Sequence, residues 1–159
     1  MTIAIKAIGH VGICVADRDR SMRFYCDGLG FEVVHSTFIQ GDTMSRLTGV
    51  DDVKMTMTIL RRDGMSIELI HPESGHVPPP AAAPLNQLGF THLALWVDDL
   101  DAAAAGIVEH GGTIVPSQRA EFDRPELTAR FQMCADPDGV RIELVEYPAG
   151  QAAVLGDVR

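Results

Sequence analysis

Positive charge is scarce in this sequence. There are 13 Lys and Arg residues against 22 Asp and Glu residues, which gives a formal net charge of −9. A chain of this sign is repelled by the phosphates of nucleic acid and by anionic membrane surfaces. We therefore expect neither nucleic acid nor a membrane as a partner, although a local group of arginines could still hold an anionic small molecule.

Cysteine is also scarce, and no apolar run is long enough to cross a bilayer. The cysteines Cys14, Cys26 and Cys134 are odd in number and show no CxxC spacing, which favours reduced thiols over a disulfide framework. The apolar positions near the N-terminus are too few and too interrupted for a signal peptide. These absences predict a cytoplasmic protein.

An internal repeat is the most informative feature that is present. Two segments of the first half align without gaps onto the second half: residues 9–33 onto 91–115, a shift of 92 − 10 = 82, and residues 62–70 onto 137–145. The first alignment brings His10 onto His92, and the second brings Glu68 onto Glu143. An approximate two-fold axis brings equivalent positions together, so two imidazoles and two carboxylates at that axis predict a site for a divalent metal.

The two glutamates occur in the same local context. Each lies in the tripeptide Ile-Glu-Leu within a predicted strand. Because neighbouring side chains of a strand point to opposite faces, each carboxylate is expected on the face opposite its apolar neighbours. The remaining histidines have no repeat partners and are expected at the surface or in loops: His35, His71, His76 and His110.

Each copy of the repeat predicts one strand, one helix and three further strands. We expect an α+β fold, with two paired βαβββ modules forming a curled mixed sheet around a metal-containing cavity, all within one structural domain. The modules are predicted over residues 1–72 and 89–148. The proline-rich segment 73–88 is predicted as an extended linker between them, and residues 149–159 as a loosely held tail.

Several motifs carry a family resemblance. The Gly-His of the first strand, the later FY and LGF, the stretch HLALWVDD, and DPDG followed by IEL are similar to those of the vicinal oxygen chelate superfamily. This superfamily contains glyoxalase I, methylmalonyl-CoA epimerase, extradiol dioxygenases, and fosfomycin and bleomycin resistance proteins. The resemblance covers nearly the whole chain. It implies the paired βαβββ fold and leaves the reaction open.

The order of the four candidate ligands resembles that of glyoxalase I. The resemblance implies that His10, Glu68, His92 and Glu143 hold a divalent nickel, zinc, cobalt, manganese or iron ion. It also implies that Glu143 or Glu68 moves a proton next to a carbonyl of a small-molecule substrate, so that an isomerase, lyase or epimerase reaction passes through an enediolate. The epimerases of the superfamily usually have Gln in place of Glu68.

Two alternatives from other classes stay open at this point. An extradiol-type dioxygenase would use iron(II) and only His10, His92 and Glu143 as ligands. A resistance-type protein would bind a small molecule without chemistry, and such proteins commonly lack the metal ligands.

The substrate pocket is expected to differ from that of glyoxalase I. The positions that would hold glutathione are Cys14 and Pro72 here, and Trp96 is the repeat partner of Cys14. We therefore expect an apolar pocket and a bulkier α-hydroxycarbonyl or acyl-thioester substrate. Candidate groups for an anionic part of it are Arg119 and Arg124, in the polar stretch 118–126 that we predict as an irregular pocket loop, and Arg130 beyond it.

Oligomeric state follows from the same resemblance. Paired βαβββ sheets have exposed edges, which relatives cover by dimerisation. A homodimer is expected, with the metal site formed either within one chain or between two.

Overall fold

The computed structural model describes residues 2–73, 75–78, 84–125 and 127–148. The first half of the chain contains β1 (Val11–Cys14), α1 (Arg18–Met22) continuing as a π-helical segment (Arg23–Gly28), β2 (Glu32–Gln40), α2 (Asp42–Thr48), β3 (Lys54–Arg62) and β4 (Met65–Pro72). The second half contains β5 (Leu93–Val97), α3 (Leu100–Glu109), β6 (Thr113–Arg124), β7 (Leu127–Ala135) and β8 (Arg141–Glu146). The predicted α+β fold of two βαβββ modules is confirmed, with α2 inserted between β2 and β3.

The segment between the modules contains neither helix nor strand at the described positions 73, 75–78 and 84–88. The rest of the predicted linker and the whole predicted tail lie outside the described residues. No helix in the described part of the chain is long and apolar enough to span a membrane.

Two compact units make up the chain. The first consists of Met1–Arg18 and Gly30–His76, and the second of Asp19–Leu29 and Val77–Arg159. Most of the helix of the first module, including its π-helical segment, therefore belongs to the second unit. The repeat in the sequence did not predict this grouping.

The first unit is built on a mixed four-stranded sheet in the order β1-β4-β3-β2. Strands β1 and β4 are parallel, and the other neighbours are antiparallel. One face of the sheet carries the core of the unit, because Leu60, Ile67 and Leu69 are almost fully buried there. Period-two alternation sends Glu68 to the other face.

The second unit repeats this arrangement with the order β5-β8-β7-β6 and parallel β5 and β8. Its core includes Ile142 and Leu144 of β8 and Leu100 and Ile107 of α3. Helix α3 begins where the Asp99 side chain accepts hydrogen bonds from the backbone N–H groups of Asp101 and Ala102, as expected for an N-cap aspartate.

A buried tyrosine joins the first module's helix to the second sheet. The Tyr25 hydroxyl donates a hydrogen bond of 2.8 Å to Asp136, which also accepts from the backbone N–H groups of Asp138 and Val140. Burial raises the pKa of the Asp136 carboxyl above its usual range, and burial together with the nearby Asp136 raises the pKa of Tyr25. The DPDG turn is thereby held from inside the unit.

The predicted irregular loop over residues 118–126 is wrong for residues 118–124, which belong to β6. The stretch alternates in period two, so its polar side chains can lie on one face of the strand and its apolar ones on the other. A register irregularity between Ile114 and Arg119 interrupts the pairing with β7. The polar face lies on the side of α3, where Arg119 pairs with Asp101 at 2.8 Å. Residue 126 lies outside the described residues.

Candidate active site

The first His–Glu pair lies at the parallel edge of the first sheet. Glu68 is on β4, and His10 directly precedes β1, the neighbouring strand. The His10 Nε2 atom is 3.3 Å from Oε2 of Glu68, and the side chains are 43% and 11% exposed. Glu68 is therefore a nearly buried carboxylate whose close partner is an accessible imidazole.

The second pair has the same geometry in the second unit. Glu143 is on β8, and His92 directly precedes the parallel strand β5. The His92 Nε2 atom is 3.4 Å from Oε2 of Glu143, with exposures of 26% and 24%. The Thr91 hydroxyl lies 3.0 Å from Nδ1 of His92, a contact that orients the ring and leaves Nε2 for the carboxylate or a metal. The Arg141 side chain donates to the Thr91 carbonyl.

The donor atoms of both pairs suit one kind of ligand. Each pair offers an imidazole nitrogen and a carboxylate oxygen, which divalent transition metals accept. Their separations of 3.3 and 3.4 Å are ones that two atoms can keep when bound to one ion at about 2.1 Å. Within the described residues, no group of three or more His, Cys, Asp or Glu side chains gathers in one place. Each unit thus supplies two of the four expected ligands.

Apart from the candidate ligand Glu68, the face of the first sheet that carries it is largely apolar. Strand register places Cys14 beside Ile70 on this face, and Ile70 beside Met57. Cys14 is exposed, and Pro72, at the end of β4, is opposite Met55. The two residues that replace glutathione-holding positions therefore lie on or at the edge of an apolar surface.

The corresponding face of the second sheet carries aromatic side chains. Register places Trp96 beside Val145, and Val145 beside Phe131. The Trp96 ring packs edge-to-face on Tyr147 with centroids 5.7 Å apart, and Phe122 packs in the same way on Phe131 at 5.5 Å. Burial and the charge of Glu143 raise the pKa of the Tyr147 hydroxyl.

The three candidate arginines lie on different faces. Arg124 is on the face of Glu143, and its guanidinium lies 5.9 Å from the centroid of the Phe122 ring. Arg119 is on the opposite face and pairs with Asp101. Arg130 also lies on that opposite face and binds Asp101, Glu121 and Glu146. Hydrogen bonds that Arg130 donates to Asp101 and Glu146 raise its pKa, and the two held arginines tie α3 to β6 and β7.

A family model described as Glyoxalase/Bleomycin resistance protein/Dioxygenase superfamily matches residues 7–144. The chain belongs to this superfamily. It is 30% identical over 149 residues to a 2-epi-5-epi-valiolone epimerase from Actinomyces sp, covering 91% of this chain and 81% of the relative.

Solved superfamily structures share the fold. A glyoxalase family protein from Bacillus cereus superposes with a TM-score of 0.70 at 24% identity, over 91% of this chain and 95% of the other. The fosfomycin resistance protein FosX from Listeria monocytogenes, solved with Mn(II) and sulfate, has a TM-score of 0.53 at 16% identity, over 92% and 96% of the two chains. Divalent metal binding is thus a property found within the superfamily.

The other histidines of this superfamily member lie apart from both pairs. His71 Nδ1 is 3.3 Å from the Val15 carbonyl, and His110 Nδ1 is 2.9 Å from the Gly106 carbonyl. His76 is exposed outside any helix or strand. His35 is exposed, as expected, and lies within β2 opposite Ile59, on the face of Glu68.

Phe122 and Tyr147 are two pocket candidates that the sequence did not indicate. Phe122 lies in the stretch 118–126 that the sequence predicts as a loop, although Ala120, Phe122 and Arg124 recur at every second position. Tyr147 follows the last strand by one residue and has no repeat partner of its own type. Its contact with Trp96 depends on tertiary structure alone.

Proposed function

We propose that this chain is a metal-dependent isomerase, lyase or epimerase of the glyoxalase type, which moves a proton next to a substrate carbonyl. The observation that carries the proposal is the recurrence of one His–Glu pair at repeat-equivalent positions, with donor atoms 3.3 and 3.4 Å apart in the two units. The ligands are His10, Glu68, His92 and Glu143, and the ion is nickel, zinc, cobalt, manganese or iron.

The ligand set determines what chemistry is available. Two neutral imidazoles and two carboxylates balance the charge of a dication and leave room for two neighbouring oxygens of a substrate. When bound, the metal would act as a Lewis acid that stabilises the enediolate formed as the α-proton leaves.

The base is assigned to Glu143. Its side chain is 24% exposed whereas that of Glu68 is 11% exposed, so Glu143 is the carboxylate with more access to a substrate proton. The Tyr147 ring, whose hydroxyl pKa is raised by burial and by the charge of Glu143, packs edge-to-face on Trp96 on the same face of the sheet. Glu143 takes the proton, and its return to a neighbouring carbon gives isomerisation. Epimerisation requires a proton to reach the opposite face of the same carbon, a step for which Glu68 is the second carboxylate.

The named relative supports this reaction class. The Actinomyces protein is an epimerase, and epimerisation next to a carbonyl requires the same proton removal. Glu68 supports four ligands over the three of an extradiol dioxygenase, because its nearly buried carboxylate lies 3.3 Å from His10, in the same geometry as Glu143 with His92.

Proton exchange tests the proposal. Metal-loaded protein is incubated in deuterated water with α-hydroxyketones and with 2-methyl-branched acyl thioesters, and the α-proton signal and the epimer ratio are followed by NMR. We expect loss of the signal or epimer formation for at least one probe. At saturating metal, Glu143→Gln should slow this by about 100-fold or more, while His35→Ala should leave it unchanged.

Two results would contradict the proposal. Ring cleavage of a catechol with oxygen uptake by the iron(II) protein would indicate a dioxygenase. Tight binding of these probes with neither exchange nor conversion, at full metal occupancy, would indicate a binding protein.

A further inference from the structure

On the face of the second sheet that carries Glu143, the side chains follow one another in an order that the proposed reaction does not require. Four rows of side chains follow one another along β7, away from the His92–Glu143 pair. Glu143 is beside Met133, Val145 is beside Phe131, Phe122 is beside Ala129, and Arg124 is beside Leu127. Alternation places all of these side chains on one face.

This face therefore has a metal-ligand end and a cationic end. Met133 and Leu127, which mark the two ends on β7, are six residues apart, or about 20 Å at the usual strand rise. Between the two ends Val145 and Ala129 are buried, as is Met133 itself, and aromatic side chains form the accessible part of the face. Trp96 is 37% exposed, and Phe122 and Phe131 are half-buried.

At the cationic end, Arg124 differs from the neighbouring arginines in its ion pairing. No ion pair joins Arg124 to a carboxylate within the described residues, where its guanidinium contacts the Phe122 ring. Arg119 and Arg130 of the same hairpin are both held by Asp101 on the opposite face. Among these three arginines, Arg124 is thus the one placed to bind an anion from the face of Glu143.

We infer that this face binds an elongated substrate with an anionic terminal group, an inference that rests on the proposed function for its reacting end. The vicinal oxygens lie at the His92–Glu143 pair, the apolar or aromatic body lies over Trp96, Phe131 and Phe122, and the anionic group binds Arg124. Arg124 is a specificity-determining residue, since it selects substrates long enough to reach it and is remote from the reacting carbon.

Binding without turnover separates this inference from the proposed reaction. Trp96 is the single tryptophan of the chain and lies on the surface in question, so its fluorescence reports ligands there. The probes are ω-phenyldecanoate, its uncharged methyl ester, and phenylacetate, which is too short to reach from Trp96 to Arg124. Each is titrated into metal-free and zinc-loaded full-length protein.

We expect ω-phenyldecanoate to bind more tightly than its ester, and Arg124→Gln to weaken the acid by about tenfold or more, as for loss of a charge-assisted contact. The same variant should leave the affinity of the ester and of phenylacetate unchanged. The control is Arg119→Gln, from the opposite face of the same strand, which should bind all three probes like the wild type. Circular dichroism checks that both variants are folded.

Three results would overturn the inference. One is equal affinity of the wild type for acid and ester, and another is an unchanged affinity of Arg124→Gln for the acid. The third is a Trp96 emission spectrum that changes with protein concentration but with none of the probes. It would mean that a second copy of the chain covers this face. The metal-free titration does not depend on the reaction. It therefore still tests this inference if the proposed function is wrong.

Discussion

At the scale of single residues, the two His–Glu pairs are alike in geometry and unequal in exposure. Their donor atoms are 3.3 and 3.4 Å apart, whereas the carboxylates are 11% and 24% exposed. The repeat predicts all four residues as ligands, and each His–Glu pair lies on or beside neighbouring parallel strands at equivalent positions. The difference in exposure between Glu68 and Glu143 was not predictable, since it depends on what packs around each strand.

Asp101 provides a test of the contacts that hold β6 and β7 to α3. Hydrogen bonds from Arg119 and Arg130 lower the pKa of its carboxyl from 3.8 to about 2. A lowered folded-state pKa stabilises the protein above the unfolded pKa, and this contribution is lost as the pH falls through the folded value. Asp101→Asn should therefore lower the melting temperature at neutral pH and match the wild type near pH 2. A melting difference that is unchanged by acid would contradict this role.

At the scale of elements, the sequence predicted most strands and α3 because their apolar periods are clear. It failed at β6, where the charged residues Arg119, Glu121 and Asp123 concealed a period-two pattern. The π-helical part of the first helix was not predicted either, because each copy of the repeat predicts one regular helix. The π-helical segment Arg23–Gly28 instead buries the adjacent residues Phe24 and Tyr25, and the insertion of one residue into a helical turn leaves no simple sequence period.

Two glycines provide a matched test of how closely α3 and β6 approach their neighbours. A Cβ atom at Gly112 would lie 2.7 Å from the Ala135 carbonyl oxygen and 2.8 Å from both Ile107 and Phe24 side chains, whereas one at Gly106 would meet nothing within 4 Å. Gly112→Ala should destabilise the protein by roughly 1–3 kcal/mol through overpacking. Gly106→Ala, inside α3, should be neutral or stabilising by up to about 1 kcal/mol. Urea unfolding measures both, and equal stabilities would refute the close approach.

At the scale of the whole molecule, the two modules were predictable and their division into compact units was not. The repeat contains the information for two βαβββ copies, but it does not specify which sheet each helix packs on. Residues 19–29 belong to the second unit, and the buried Tyr25–Asp136 hydrogen bond accounts for part of that association.

Exposed apolar surface supports the proposed homodimer. Ile3, Ile5 and Ile8 precede β1 and are all largely exposed, and β1 is an edge strand of its sheet. Edges and apolar segments of this kind are commonly covered by another chain. Light scattering should give the mass of two chains at micromolar concentration, and Ile3→Asp with Ile5→Asp should shift it toward one. A wild type with the mass of one chain would contradict the dimer and leave the fold unaffected.

The central claim is that both His–Glu pairs bind one shared ion, and metal stoichiometry tests it most directly. Protein freed of metal is reloaded with zinc or nickel, desalted and subjected to elemental analysis. We predict one ion per chain for the wild type and for the controls His35→Ala and His110→Ala. Single alanine variants of His10, Glu68, His92 and Glu143 should each lose metal, and removing either whole pair should abolish binding. Two ions in the wild type with one retained after either pair is removed, or full occupancy in His92→Ala, would contradict a shared four-ligand site.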